Sequence, residues 1–325
     1  MYAIHLIDTD LWRITLPNPD VRRLPGARPV NVYLVTHDAP ALINAGHPTQ
    51  HQALGDALRE IGTSPSDIER IVCTSWQPDH LGGAQAFPRA DTFVFSPDML
   101  QPTRYDSWLD TLRRAMRELF ARVEHLPGSE DTRDDLDAYL ASFVPPSTED
   151  LRFIPLRGGH VVRAGDFELE VLSAPGPDPG HIVLWDAQHA RLFSGALTRD
   201  GLPEVIHSVQ GYLVAMERAL ELEPKVLLPS YGLLDPHGTF TLRRSLRFLH
   251  NFLGNAPGAL AQGPTLLEFV ERDMGYIPRD RVRFAATLMA YRAFLDELVR
   301  THNIDAAGTG VSRRYGIEPD DPRLA

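Results

Sequence analysis

A chain of 325 residues with 43% hydrophobic content can build one large domain with a substantial core, or a main domain plus a smaller appendage. Its 43 acidic residues outnumber 32 basic ones, leaving a formal charge of −11; this argues against the extended basic surface that nucleic-acid binding needs and leaves room only for a local basic patch. No stretch approaches the roughly 18 apolar residues of a membrane helix, and the N-terminus lacks the basic and apolar regions of a signal peptide, so the expectation is a cytoplasmic chain with no membrane or nucleic-acid partner.

The first elements assigned are short β-rich runs at 31–36 and 41–44, joined through the polar, proline-containing segment 37–40, which reads as a hairpin. A helix follows from Thr49, with Leu54, Leu58 and Ile61 at helical spacing and Gly62 closing it. Residues 71–74 form a buried strand that holds the only cysteine, Cys73. It reads as a small core hydrophobe, and a lone cysteine permits no intrachain disulfide. A loop then leads to Gly82-Gly83, a short helix and a strand at 92–95.

From Ser96-Pro97 to His125 the pattern is helical, with an apolar stripe through Leu109, Leu112, Met116, Leu119, Phe120 and Val123. A polar turn at 128–135 and a shorter helix at 136–143 complete this segment. Strands return at 153–156, 167–172, 182–185 and 191–193, the last two linked by a hairpin at 186–189. A helix at 212–222 and a strand at 225–228 come next, then helices at 241–253, 265–273 and 282–300 and a polar tail from Thr301. Two batches of strands, each followed by helices, point to two layered sheets and not to one doubly wound sheet.

Several motifs sharpen that reading. Thr74-Ser75-Trp76-Gln77-Pro78-Asp79-His80-Leu81-Gly82-Gly83 follows a buried strand and resembles the Thr-His-x-His-x-Asp-His-x-Gly-Gly loop of the metallo-β-lactamase superfamily. In the same order, Leu42-Ile43-Asn44-Ala45-Gly46 resembles that family's Leu-Ile-Asp-x-Gly, and the segment from Ala174 through Pro177 to His181 resembles Thr-Pro-Gly-His-Thr-x-Gly-His. Leu192 to Ala196 resembles Leu-Phe-x-Gly-Asp, and Leu228 to Gly232 resembles Leu-Pro-Gly-His-Gly. The resemblance implies an α/β fold, the αββα sandwich, over residues 1–240, with a helical insertion at about 97–148 and a C-terminal helical region at 241–325.

The resemblance also implies a site for two divalent ions, each lowering the pKa of bound water. Carried over residue by residue, the ligands of the first ion fall on Ser75, Gln77 and Pro177, and those of the second on Asp79, His80, Ala196 and Tyr231. Only Asp79 and His80 keep a usual ligand type, and a neighbouring family Asp is the amide Asn44. No resident cofactor is therefore expected; a single zinc or manganese on Asp79 and His80 is the most a residual site could hold. His47, His181 or His207 could in principle rebuild a site around that pair, although each also reads as an ordinary hydrogen-bonded histidine.

Asp79 and His80 have a structural reading too, as a helix-start pair in which Asp accepts backbone N–H groups. The functional expectation is a pseudo-hydrolase without catalysis, keeping the cleft or an oligomer surface for a small molecule, a protein or a second copy of itself. The alternative is a hydrolase of a thioester, lactone or phosphoester. It would use a rebuilt mononuclear site, or a metal-free cluster of Asp79, His80 and Tyr231 with Ser75 as nucleophile.

Overall fold

The β-rich runs and amphipathic helices assemble into two stacked sheets with helices on both outer faces. The computed structural model describes residues 2–17, 29–37, 39–96, 101–128, 131–141, 143–144, 151–198, 202–203, 206–302, 304–308 and 314–317. The first sheet takes its strands in chain order: β1 (Ala3–Asp8), β2 (Leu11–Leu16), β3 (Val30–Val35), β4 (Ala41–Ile43), β5 (Arg70–Val72), β6 (Asp91–Phe95) and β7 (Arg152–Leu156). Pairing is antiparallel from β1 to β4 and parallel from β4 to β7. The second sheet contains β8 (Val161–Ala164), β9 (Phe167–Ser173), β10 (Ile182–Asp186), β11 (Arg191–Gly195) and β12 (Val226–Pro229), with β12 and β11 parallel and the rest antiparallel.

The helices are α1 (His51–Ile61), α2 (Pro78–Leu81), α3 (Gln101–Val123), α4 (Arg133–Ala141), α5 (Val209–Glu221), α6 (Gly238–Leu260), α7 (Leu266–Met274) and α8 (Arg281–His302). Apolar side chains from both sheets, among them Tyr33, Ile43, Val72, Leu169, Ile182, Leu184, Phe193 and Leu228, interdigitate between the layers. The outer face of the first sheet is covered by α1, α3, α4, α7 and most of α8 in a second buried cluster that includes Leu58, Leu119, Val270 and Leu288. A third cluster joins α5 and α6 to the second sheet through Val183, Leu192, Leu213 and Leu246, and Phe294 of α8 reaches into it. This is the αββα sandwich.

Several elements differ from the reading of the sequence. The N-terminal segment supplies β1 and β2, which the alternation test passes over because β1 is a half-exposed edge and the burial of β2 skips two positions between Leu11 and Ile14. β8 is only four residues long. The polar tail contains a hairpin of β13 (Ile304–Ala307) and β14 (Arg314–Ile317), anchored by the buried Ile304 and Tyr315. Helix α6 runs on through Pro257 to Leu260, because Ala256 and Leu260 pack into the first-sheet cluster and offset the lost backbone bond. The helix start at Pro97, the segment ends at 129–130 and 145–148, and the last residues from 318 onward lie outside the described residues.

Candidate active site

The C-terminal ends of β4, β5, β11 and β12 converge at one edge of the sandwich with the loop between β9 and β10. Two of these loops touch so closely that one needs a glycine. A Cβ on Gly83 would stand 1.9 Å from the Ala45 carbonyl oxygen. The approach is locked by Gly83 N–H donating to Gly46 O (2.7 Å) and Ala45 N–H to His80 O (2.7 Å). Asn44, at φ 63°, takes the left-handed conformation that Asn tolerates better than most residues. Its Oδ1 accepts from the Thr74 backbone N–H (2.9 Å) and hydroxyl (3.0 Å), and its Nδ2 donates to Ser230 Oγ (3.0 Å).

These bonds decide the state of His80. The Thr74 hydroxyl spends its hydrogen on Asn44, so its lone pair accepts from His80 Nδ1–H at 2.8 Å, and Nε2 is the bare nitrogen of a neutral ring. Burial pushes the imidazole below its ordinary range, opposed by the charge of Asp79. Nε2 faces the Tyr231 hydroxyl oxygen at 3.2 Å, and that hydroxyl donates to Asp79 Oδ2. One phenol hydrogen thus lies between two acceptors.

Tyr231 is held in place by an amide fork on the other side of the loop. Asn31 Nδ2 donates to the carbonyls of Pro229 (2.9 Å) and Gly232 (2.8 Å), and the Tyr33 hydroxyl donates to Pro229 O (2.8 Å). α2 starts at Pro78, ahead of Gly82-Gly83, so Asp79 lies inside its first turn. Its carboxylate accepts from Tyr231, whereas the residue that caps the helix is Gln77, which makes no side-chain capping bond.

A second polar set occupies the neighbouring space. The Ser75 hydroxyl donates to Asp178 Oδ2 (2.7 Å) and accepts from the Gln77 backbone N–H (2.9 Å); Gln77 Nε2 reaches Asp178 Oδ2 at 3.4 Å, and Gly180 N–H donates to Oδ1 (2.9 Å). Asp178 is fully buried, and burial pushes its carboxyl up to about 7 despite these donors. It is absent from the candidates drawn from sequence. The signal that could have found it is an acid between Pro177 and Pro179 in a loop otherwise made of small residues.

The structure therefore brings Asp79, His80 and Tyr231 together and leaves Ser75 in the separate Asp178 set. His181 donates from Nδ1 to Ala174 O (3.1 Å) and accepts at Nε2 from Ala196 N–H (2.9 Å), and burial lowers its pKa to about 3. His47 caps the short turn Pro48–Gln50 by accepting from Thr49 N–H at Nδ1. His207 is anchored through its backbone N–H to Gly176 O (2.7 Å). The rings of His181 and His47 are thus engaged within the fold, and among the described residues no group of three His, Cys, Asp or Glu side chains is arranged to hold a metal.

The sequence profile of the Metallo-beta-lactamase superfamily matches residues 25–231. The chain belongs to this superfamily. Among its relatives, Acyl-coenzyme A thioesterase MBLAC2 of Gallus gallus is 30% identical over 216 residues, 64% of this chain and 70% of that protein. Probable metallo-hydrolase YqjP of Bacillus subtilis is 25% identical over 221 residues, 62% of this chain and 67% of that protein. The metallo-beta-lactamase family protein TTHA1429 from Thermus thermophilus shares the fold at a TM-score of 0.72 and 20% identity, over 96% of this chain and 99% of that one. A beta-lactamase domain protein from Burkholderia ambifaria does so at 0.72 and 19%, over 96% and 94%.

The motif resemblance assigns the metal-ligand positions to Ser75, Gln77, Pro177, Asp79, His80, Ala196 and Tyr231. The donor set here does not fit a zinc pair. Zinc favours thiolate, imidazole and carboxylate donors, whereas the first position offers a hydroxyl, an amide and a proline, with Ser75 and Gln77 already bonded to Asp178. At the second position the Asp79 carboxylate and His80 Nε2 both meet the Tyr231 hydroxyl.

Proposed function

We propose that this superfamily member is a ligand-binding protein that has exchanged its metal chemistry for internal hydrogen bonds. The observation that carries the reading is the Tyr231 hydroxyl, which contacts Asp79 Oδ2 and His80 Nε2 together and so engages the only two side chains that keep a ligand type at the motif positions. The Ser75–Asp178–Gln77 set supports it from the other half of the site. Zinc and manganese titrations, followed by thermal unfolding and by metal analysis of the purified protein, are expected to leave the melting temperature unchanged and to find far less than one ion per chain. A tightly held stoichiometric ion overturns the proposal.

One observation favours a second reading, a metal-free hydrolase. The Asn44–Thr74 pair directs the bare Nε2 of His80 at Tyr231, the orientation a general base needs. The relatives named as a thioesterase and a probable metallo-hydrolase make thioesters the first substrates to try. Against it, His80 is fully buried and a substrate could reach Nε2 only past the phenol. A panel of thioesters, lactones and phosphoesters separates the two readings: turnover abolished by His80→Ala and by Tyr231→Phe establishes the hydrolase, and no turnover supports the binding protein.

A further inference from the structure

The loop that carries Tyr231 also walls a cavity of about 610 Å³, within the usual size range of small-molecule sites. Its lining is apolar over Leu227, Pro229 and Leu234, with Tyr231 in one wall and Arg244 of α6 in another. Leu233, another lining residue, is 81% exposed. The acid that also lines the cavity, Asp235, accepts from the Thr241 hydroxyl and from the His237 backbone N–H (2.7 Å), which orient its carboxylate within the turn that starts α6.

The exposed side of α6 continues this character. Phe240, Arg244 and Phe248 follow one another at intervals of four residues and Arg247 stands three beyond Arg244, which places all four on adjoining turns of one face, and all are exposed. In a chain with a formal charge of −11, two arginines set between exposed phenylalanines bring positive charge beside an apolar cavity. Guanidinium groups bind carboxylates and phosphates through paired charge-assisted hydrogen bonds, and the leucine- and proline-lined space suits a hydrocarbon chain.

From this juxtaposition we infer that the cavity binds an amphipathic anion, a flexible apolar chain seated on Leu227, Leu233 and Leu234 with a carboxylate or phosphate-type head on Arg244. The inference rests on the ligand-binding reading above and gives it a ligand class.

Calorimetric titration of the full chain with octylphosphonate, octanoate and 1-octanol tests it, since the three share one chain and differ in the head. Both anions are expected to bind with one-to-one stoichiometry, the phosphonate about tenfold or more tighter than the alcohol. Arg244→Ala should bring the phosphonate to within about twofold of the alcohol, a larger loss than at octanoate if the head is a phosphate and an equal or larger loss at octanoate if it is a carboxylate. The melting temperature of Arg244→Ala checks that the variant is folded, while Arg218→Ala on α5 should leave all three affinities unchanged. Equal affinity for alcohol and anions, an unaltered phosphonate affinity in Arg244→Ala, or no saturable binding up to about 1 mM overturns the inference. Release of octanoate from an octanoyl thioester would instead overturn the non-catalytic reading, and the dependence of binding on Arg244 would stand.

Discussion

Asp178 is a fully buried acid, and burial pushes its carboxyl up to about 7. An unfolded Asp releases its proton near 3.8, whereas the buried carboxyl keeps it to about 7. Between those values the folded state holds the extra proton, so the contribution of Asp178 to stability is full at low pH and is lost as pH rises. Asp178→Asn removes this dependence. In urea unfolding at pH 5, 6 and 7, the stability of the variant relative to the parent is expected to rise by roughly 1 kcal/mol per pH unit. A difference that stays constant with pH would show that the carboxyl titrates normally. At this scale the sequence is legible only where a family motif lends it a template. Asp79, His80 and Tyr231 sit at positions where the motifs imply ligands, whereas Asp178 falls inside a motif at a position that implies none. The tautomer of His80 follows from Asn44, Thr74 and Ser230, three segments apart in the chain, and no local pattern encodes such a relay.

At the scale of elements, the site depends on the meeting of the loop after β4 with the one that follows α2. Gly83→Ala would drive a methyl into the Ala45 carbonyl, and backbone cannot give way as a flexible side-chain tip can. The expected loss is about 3 kcal/mol or more, read as a lower urea midpoint or as insoluble protein. Gly62→Ala is an informative contrast, since no atom lies within 4 Å of the added Cβ and only the left-handed φ of 98° is penalised, a cost of about 1 kcal/mol. Strands and helices with strong periodicity, such as β3, β9, β10, α1 and α3, follow from the sequence. β1, β8 and the β13–β14 hairpin do not, since each is short or half exposed.

For the whole molecule, α8 ties the layers together. Most of its buried side chains join the cluster over the first sheet, and Phe294 enters the cluster over the second. Phe294→Ala is expected to cost about 3–5 kcal/mol and to preserve one cooperative transition, because unfolding either layer strips α8 of its partners. Two separated transitions, by circular dichroism and tryptophan fluorescence, would mean that the C-terminal helices fold independently of the sandwich. The hydrogen bonds around Asp178 bear on how this chain can change over time. Ser75→His, which puts the motif's ligand type at that position, would also remove the shortest hydrogen bond to the buried Asp178. Substitutions at 75, 77 and 178 are thus energetically coupled, and each first step toward a metal ligand at 75 or 77 runs uphill unless the others accompany it.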